Sequence, residues 1–151
     1  MEKFESMDHI LDFAMNQEQG AVDFYTKLAA KSRNDEMKQI FEEFAREEIG
    51  HKAQIAQIKE EQNFDLPKEK VMALNIADYI AYPDVDENIT YAEALKVAMA
   101  REKAAFKLYT KLASEASNSA IRNIFQYLAQ EESKHKLRFE LEYDEFVLRD
   151  N

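Results

Sequence analysis

FEEFAREEIGHK at residues 41–52 and FQYLAQEESKHK at residues 125–136 are one pattern written twice, 84 positions apart. Each copy sets a Glu three residues before a His: Glu48 with His51, and Glu132 with His135. Upstream, AMNQEQGAVDFYTKLA (14–29) lies over AMAREKAAFKLYTKLA (98–113) at the same shift, with no gap. Two halves in one register imply a duplicated structural unit, and the spacing of the apolar residues makes that unit a helix pair.

Each half reads as two amphipathic helices. Leu11, Ala14, Glu18, Ala21, Tyr25 and Leu28 fall at spacings of three and four on one face. Met37, Phe41, Phe44, Glu48, His51, Ile55 and Ile58 do the same in the next segment. The second half repeats this with Leu95, Ala98, Glu102, Ala105, Tyr109 and Leu112, then with Ile121, Phe125, Leu128, Glu132, His135 and Phe139. Helices are therefore expected near 6–32, 35–62, 90–116 and 119–148. Thr90 with Glu93 reads as a capping box, and Asn34 and Asn118 occupy matching turn or N-cap positions. The short turns make each pair antiparallel.

Residues 63–89 break the pattern with Pro67, Pro83 and the acidic stretch Asp84-Val85-Asp86-Glu87. They are long enough to cross the length of a bundle, with a short helix expected within 67–81. The predicted fold is all-α: one domain over 1–151, a four-helix bundle of two repeated antiparallel helix pairs (6–62 and 90–148) joined by a long crossover.

Composition narrows the function. Two Gly and two Pro in 151 residues favour long uninterrupted helices. A net charge of −10 disfavours nucleic acid and anionic membranes as partners and attracts cations. The absence of cysteine excludes disulfides, thiolate metal sites and a cysteine nucleophile. Residues 1–10 carry no long apolar run, so no signal peptide is expected. No segment reaches the roughly 18 apolar residues of a membrane span. A cytoplasmic location follows by default.

The chemistry lies where the apolar stripes are interrupted. The first and third long helices each place one glutamate there, Glu18 and Glu102. The second and fourth each place a Glu and a His on one face. Packing four such helices brings four carboxylates and two imidazoles together in the core. Buried carboxylates left alone cost several kcal/mol each or take up protons. Two divalent cations would cancel four carboxylates, and oxygen with imidazole donors suits iron or manganese, with zinc or copper able to use the same groups. Glu47 and Glu131, four residues before each His, also share its face. The apolar stripe favours Glu48 and Glu132 as ligands and leaves the neighbours to the surface or to a supporting role.

Tyr25 and Tyr109 lie two turns beyond the single glutamates. Each can hydrogen-bond a ligand carboxylate, stand on the path of an oxidant, or simply fill the core. Phe24, Phe41, Phe44, Phe106 and Phe125 are expected to pack the core, and His9 to lie at the surface.

The repeated Glu…Glu-x-x-His set over four helices, with FYTKLA after the first Glu, resembles the diiron domain of rubrerythrins within the ferritin-like superfamily. The resemblance covers nearly the whole chain. It implies that Glu18, Glu48, His51, Glu102, Glu132 and His135 ligate two iron ions. It implies a non-haem diiron oxidoreductase that reduces hydrogen peroxide or dioxygen in an oxidative-stress role, working as a homodimer or higher homo-oligomer. Two departures stand out. Rubrerythrins proper carry a rubredoxin domain with four cysteines, so electrons here would come from a separate rubredoxin or flavoprotein. They also carry a further glutamate three residues after the third-helix Glu, where this chain has Ala105. The symmetric six-ligand set is closer to the bacterioferritin-type arrangement. Two other functions fit the same residues: ferroxidase action feeding an iron store, and a non-catalytic metal-stabilised bundle or sensor.

Overall fold

The structure is a computed structural model, and it describes residues 2–61, 66–80 and 88–149. Four long helices form the body: α1 (Met7–Lys31), α2 (Asp35–Glu61), α4 (Tyr91–Glu115) and α5 (Ser119–Asp144), with a short α3 (Lys68–Met72) in the connection. Among the described residues there is no strand, only one isolated bridge between Lys3 and Asn75. No described helix is long and apolar enough to cross a membrane. The described residues form an all-α bundle.

The helix ends are set by side chains that satisfy otherwise orphaned backbone N–H groups. Ser6 accepts from His9 N at 3.0 Å to open α1. Asn34 accepts from Met37 N at 2.8 Å before α2. Thr90 accepts from Glu93 N at 3.1 Å before α4. Asn118 accepts from Ala120 N and Ile121 N at 2.8 and 3.3 Å before α5. The expected helices thus appear within a few residues of their expected bounds. α5 ends earlier, because a π-helical turn over Glu145–Arg149 replaces its last turn.

α1 packs against α2 and α4 against α5, and the two pairs meet face to face. Their direction follows from the core. The start of α1 (Ile10, Leu11, Ala14) shares one apolar cluster with the end of α2 (Ile55, Ile58), the end of α4 (Leu108, Leu112) and the start of α5 (Ile121, Phe125, Leu128). The other ends form a second cluster, with Tyr25, Leu28, Phe41, Leu95, Ala98 and Phe139. Each stripe therefore buries an apolar stretch at either end of the bundle and leaves its polar residues between the two clusters. α1 and α4 are antiparallel, so the connection must join opposite ends of helices about 40 Å long.

Where it is described, that connection seals the first cluster. Leu66, Val71, Leu74, Ile76 and Tyr79 are buried in it. Pro67 stands just before α3 rather than in its first turn. The N-terminus joins here: Ile76 N donates to the Glu2 carbonyl at 3.2 Å, and Phe4 is fully buried. Pro83 and the stretch at 84–87 lie outside the described residues. Two expectations change. Phe106 is 40% exposed, because its α4 position faces outward rather than inward. His9 is half-buried, with its ring edge-on to Phe4 and its Nδ1 accepting from Glu5 N at 3.1 Å.

Candidate metal centre

Midway along the bundle, between the apolar clusters, all six residues singled out in the sequence come together. Glu18, Glu48, His51, Glu102, Glu132 and His135 are each at most 3% exposed. They form two overlapping groups: Glu18, Glu48, His51 and Glu132, and then Glu48, Glu102, Glu132 and His135. Within each group the donor atoms lie within 4.8 Å of one another. Glu48 and Glu132 belong to both. The two imidazoles lie nearly parallel, with centroids 6.2 Å apart. His51 Nδ1 is 2.7 Å from Glu132 and 3.5 Å from Glu48. His135 Nδ1 is 2.9 Å from Glu48 and 3.6 Å from Glu102.

These contacts bring opposite charges close but do not satisfy the donors and acceptors. Glu18 Oε2, both Glu48 oxygens, Glu102 Oε2, Glu132 Oε1 and the Nδ1 of each His are buried without a hydrogen bond of acceptable geometry. Buried polar atoms are nearly always satisfied. Seven orphans converging on one place are the pattern left when the partner is an ion. The residues present therefore fit a metal pair: Glu18 with His51 would hold one ion and Glu102 with His135 the other, Glu48 and Glu132 belonging to both groups.

The electrostatics show what the same groups do among themselves. Burial raises Glu18 well above the usual carboxylate range, and the neighbouring Glu48 charge adds to this. Burial, followed by the charges of Glu102, Glu18 and Glu48, does the same to Glu132. Burial would also raise Glu48, but the close approach of Glu18, His135 and His51 outweighs it and holds Glu48 well below that range. Burial would lower both histidines, yet their carboxylate partners push His51 up to about 10 and His135 up to about 11. Without metal, these shifts favour protons on Glu18, Glu132 and both histidines.

The tyrosines cross between the halves. Tyr25 on α1 donates to Glu102 on α4, and Tyr109 on α4 donates to Glu18 on α1. Burial, then the nearby carboxylates, raises both phenols, so they remain donors. Each therefore holds the private glutamate of the opposite half.

The two histidines are supported differently. Glu47 reaches from α2 to His135 Nε2 at 2.5 Å, and Phe44 stacks on that ring at 4.0 Å. In the repeat Glu131 is the counterpart of Glu47, but it accepts from the Tyr127 hydroxyl at 3.3 Å and pairs with Lys134 at 3.1 Å. Lys134 stands where the first half has Gly50.

On the other side a cavity between α1 and α4 reaches Glu18, Glu48, Glu102 and Glu132, with Ala21, Ala105, Tyr25, Tyr109, Arg101 and Tyr79 also in its walls. Neither histidine lines it. It has room for about one water-sized molecule.

Comparisons with known proteins place the chain in a family. The rubrerythrin family model matches residues 9–143. The chain belongs to the rubrerythrin family. Among solved structures, it resembles a Thermotoga maritima protein provisionally described as a ferritin-like diiron-carboxylate protein, with TM-score 0.79, 22% identity, and 97% of this chain and 100% of that one covered. A hypothetical protein of Pyrococcus furiosus gives TM-score 0.74 at 23% identity, covering 91% and 88% of the two chains. A conserved hypothetical protein of Mycobacterium tuberculosis gives 0.66 at 14%, covering 88% and 93%. At these identities the structures speak for the fold alone. No curated protein matches the chain. Membership of the rubrerythrin family and the buried Glu/His cluster both fit metal binding.

Sequence reasoning left Glu47 unresolved and passed over Arg101 and Tyr79. Glu47 lies one turn before His51 but reaches His135 on the facing helix, which its spacing within α2 does not signal. Nothing in the repeat marks the other two.

Proposed function

We propose that this rubrerythrin-family chain is a diiron-carboxylate redox protein that reduces hydrogen peroxide or dioxygen with electrons from an external donor. The observation that carries this reading is the pair of ligand groups sharing Glu48 and Glu132, closed on the histidine side and open to a cavity of one-molecule size on the carboxylate side. Glu18 and His51 would hold one iron, Glu102 and His135 the other, with the two shared glutamates between them. When bound, two ferrous ions supply the two electrons that hydrogen peroxide needs, with two protons, to become two waters.

The chain's own residues do the rest. Tyr25 and Tyr109 fix the outer carboxylates so that they stay aimed as charge changes. Phe44 and the two apolar clusters keep bulk water from the histidine side. Ala21 and Ala105 leave space beside the carboxylates where larger side chains would fill it. With no cysteine, the chain offers no thiol to return the electrons, so a rubredoxin or flavoprotein is the proposed donor.

The test is anaerobic loading with two equivalents of ferrous iron, followed by stopped-flow mixing with peroxide and, separately, with oxygenated buffer. Fast oxidation by peroxide that disappears in Glu48→Ala is the expected result. Iron that fails to bind, or oxidation no faster than that of free ferrous ion, overturns the reading.

A further inference from the structure

Among the described residues that line the cavity, all but Tyr79 belong to the four long helices. Tyr79 ends a 3₁₀ turn over Ile76–Tyr79 in the connection. The turn packs on α4, and its Ile76 and Tyr79 are buried in the first apolar cluster. So short a stretch of 3₁₀ helix does not hold itself in place. No side chain caps it: Asn75 precedes the turn without a side-chain hydrogen bond, and its Oδ1 is buried with no partner. The position of Tyr79 must therefore be set from outside the turn.

What sets it is the N-terminus. Lys3 and Asn75 face each other in the isolated antiparallel bridge, and Ile76 N donates to the Glu2 carbonyl at 3.2 Å. Phe4 follows, fully buried, with its ring edge-on to His9 and Phe13 at centroid distances of 5.2 and 5.3 Å. Glu5 N donates to His9 Nδ1 at 3.1 Å, and Ser6 then opens α1. Residues 2–5 are thus rooted in α1 at one end and tied to the connection at the other.

We infer that residues 2–5 are a strap that gates the cavity. Docked, the strap holds the Tyr79 turn against α4; lifted, it frees the turn to move aside and opens a way from solvent to the carboxylates. Such a gate matters because the cavity is the approach to the metal centre, so it rests on the function proposed above. The strap can lift by itself because little binds it. The long helices bury continuous apolar stripes, whereas of residues 2–5 only Phe4 is buried and Glu2, Lys3 and Glu5 are exposed. Segments with few buried apolar contacts open locally while the rest of the fold stays intact.

The test locks the strap. The chain has no cysteine, so a disulfide placed at the bridge is the only one it can form. Opposed residues of an antiparallel bridge have Cα atoms about 4.5–5.5 Å apart, within the roughly 4.4–6.8 Å span of a disulfide. Lys3→Cys combined with Asn75→Cys therefore gives a strap that is fixed when oxidised and free when reduced. The protein is loaded with manganese(II), which prefers oxygen donors to thiols. Two rates are followed: loss of manganese to excess chelator, read by its electron paramagnetic resonance signal, and hydrogen exchange of residues 74–80 by mass spectrometry. The oxidised form should lose manganese and exchange hydrogen roughly tenfold or more slowly than the reduced form. Phe4→Ala, with its strap unanchored, should do both roughly tenfold or more faster than wild type. Arg33→Ala loosens the opposite end of the bundle and should leave both rates within about twofold of wild type. Failure to hold manganese would sink the metal reading itself. Manganese that is held but lost equally fast from the oxidised and reduced forms overturns the gate alone. Equal acceleration in Phe4→Ala and Arg33→Ala does the same, since it shows only general loosening. So does a disulfide that fails to form, because the strap would then not be docked at Asn75.

Discussion

At the scale of single residues, the site is a set of hydrogen bonds and charges that each need a partner. Tyr25→Phe removes the donor to Glu102 and leaves a carboxylate oxygen buried and unserved. The metal-free protein should lose about 1–3 kcal/mol of stability in urea denaturation. Tyr109→Phe should do the same through Glu18. Glu47 acts on only one position, through the outer nitrogen of His135. Partners of this kind typically change metal affinity by about 10–100-fold. Glu47→Gln should therefore weaken one cobalt(II) site and spare the other, so that a titration of its visible bands resolves into two steps. Equal weakening of both would mean that Glu47 acts only through net charge. The six residues that cluster here were legible in the sequence because each interrupts an apolar stripe at a repeated place. The inequality of the two histidines was not, because it depends on which way Glu47 and Glu131 turn across a helix interface.

At the scale of elements, one end of the bundle is tied by a buried carboxylate. Glu142 on α5 is fully buried and accepts from Arg33 Nε at 2.7 Å, Arg33 Nη2 at 3.0 Å and the Tyr91 hydroxyl at 2.7 Å. The α1–α2 turn, the start of α4 and the end of α5 are thus joined at one group. Removing one partner of a buried pair costs about 3–5 kcal/mol. Arg33 keeps 31% of its side chain exposed, so Arg33→Ala should cost about 3 kcal/mol, read as a lowered urea midpoint with an unchanged slope. No repeat signals this clamp: Arg33 matches Ser117, and Glu142 matches the buried Ile58. The clue was Glu142 itself, which continues the His135 and Phe139 face where an apolar residue is expected. The four long helices, by contrast, were readable from periodicity and from Asn34, Thr90 and Asn118. The packing of Phe4 and α3 over the first cluster was not, since segments so short carry too few apolar positions to show a face.

At the scale of the whole molecule, the layer between the two apolar clusters couples stability to pH. In the metal-free chain His51 and His135 are pushed up to about 10 and 11, and Glu18 and Glu132 also hold protons more tightly than unfolded chain would. A raised group stabilises the fold fully below its unfolded value and loses that contribution as pH climbs through its folded value. For the histidines the loss begins near pH 6.5 and continues to about 10 and 11. For the two glutamates it begins near 4.5. Glu48, held low, works the other way, but its contribution is complete above about 4.5. Ordinary carboxylates and lysines do not titrate between pH 6 and 8.5, so these buried groups set the slope there. The metal-free Tm should fall steadily across that range. Metal reverses the sign, because each ion displaces protons from its ligands and binds more tightly as they become scarcer. With excess manganese(II) the Tm should hold or rise over the same interval, so that the gap between loaded and metal-free protein widens with pH. A metal-free Tm that rises from pH 6 to 8.5 would mean that the histidines are not held as cations. A gap that stays constant would mean that manganese binds somewhere other than this proton-filled layer.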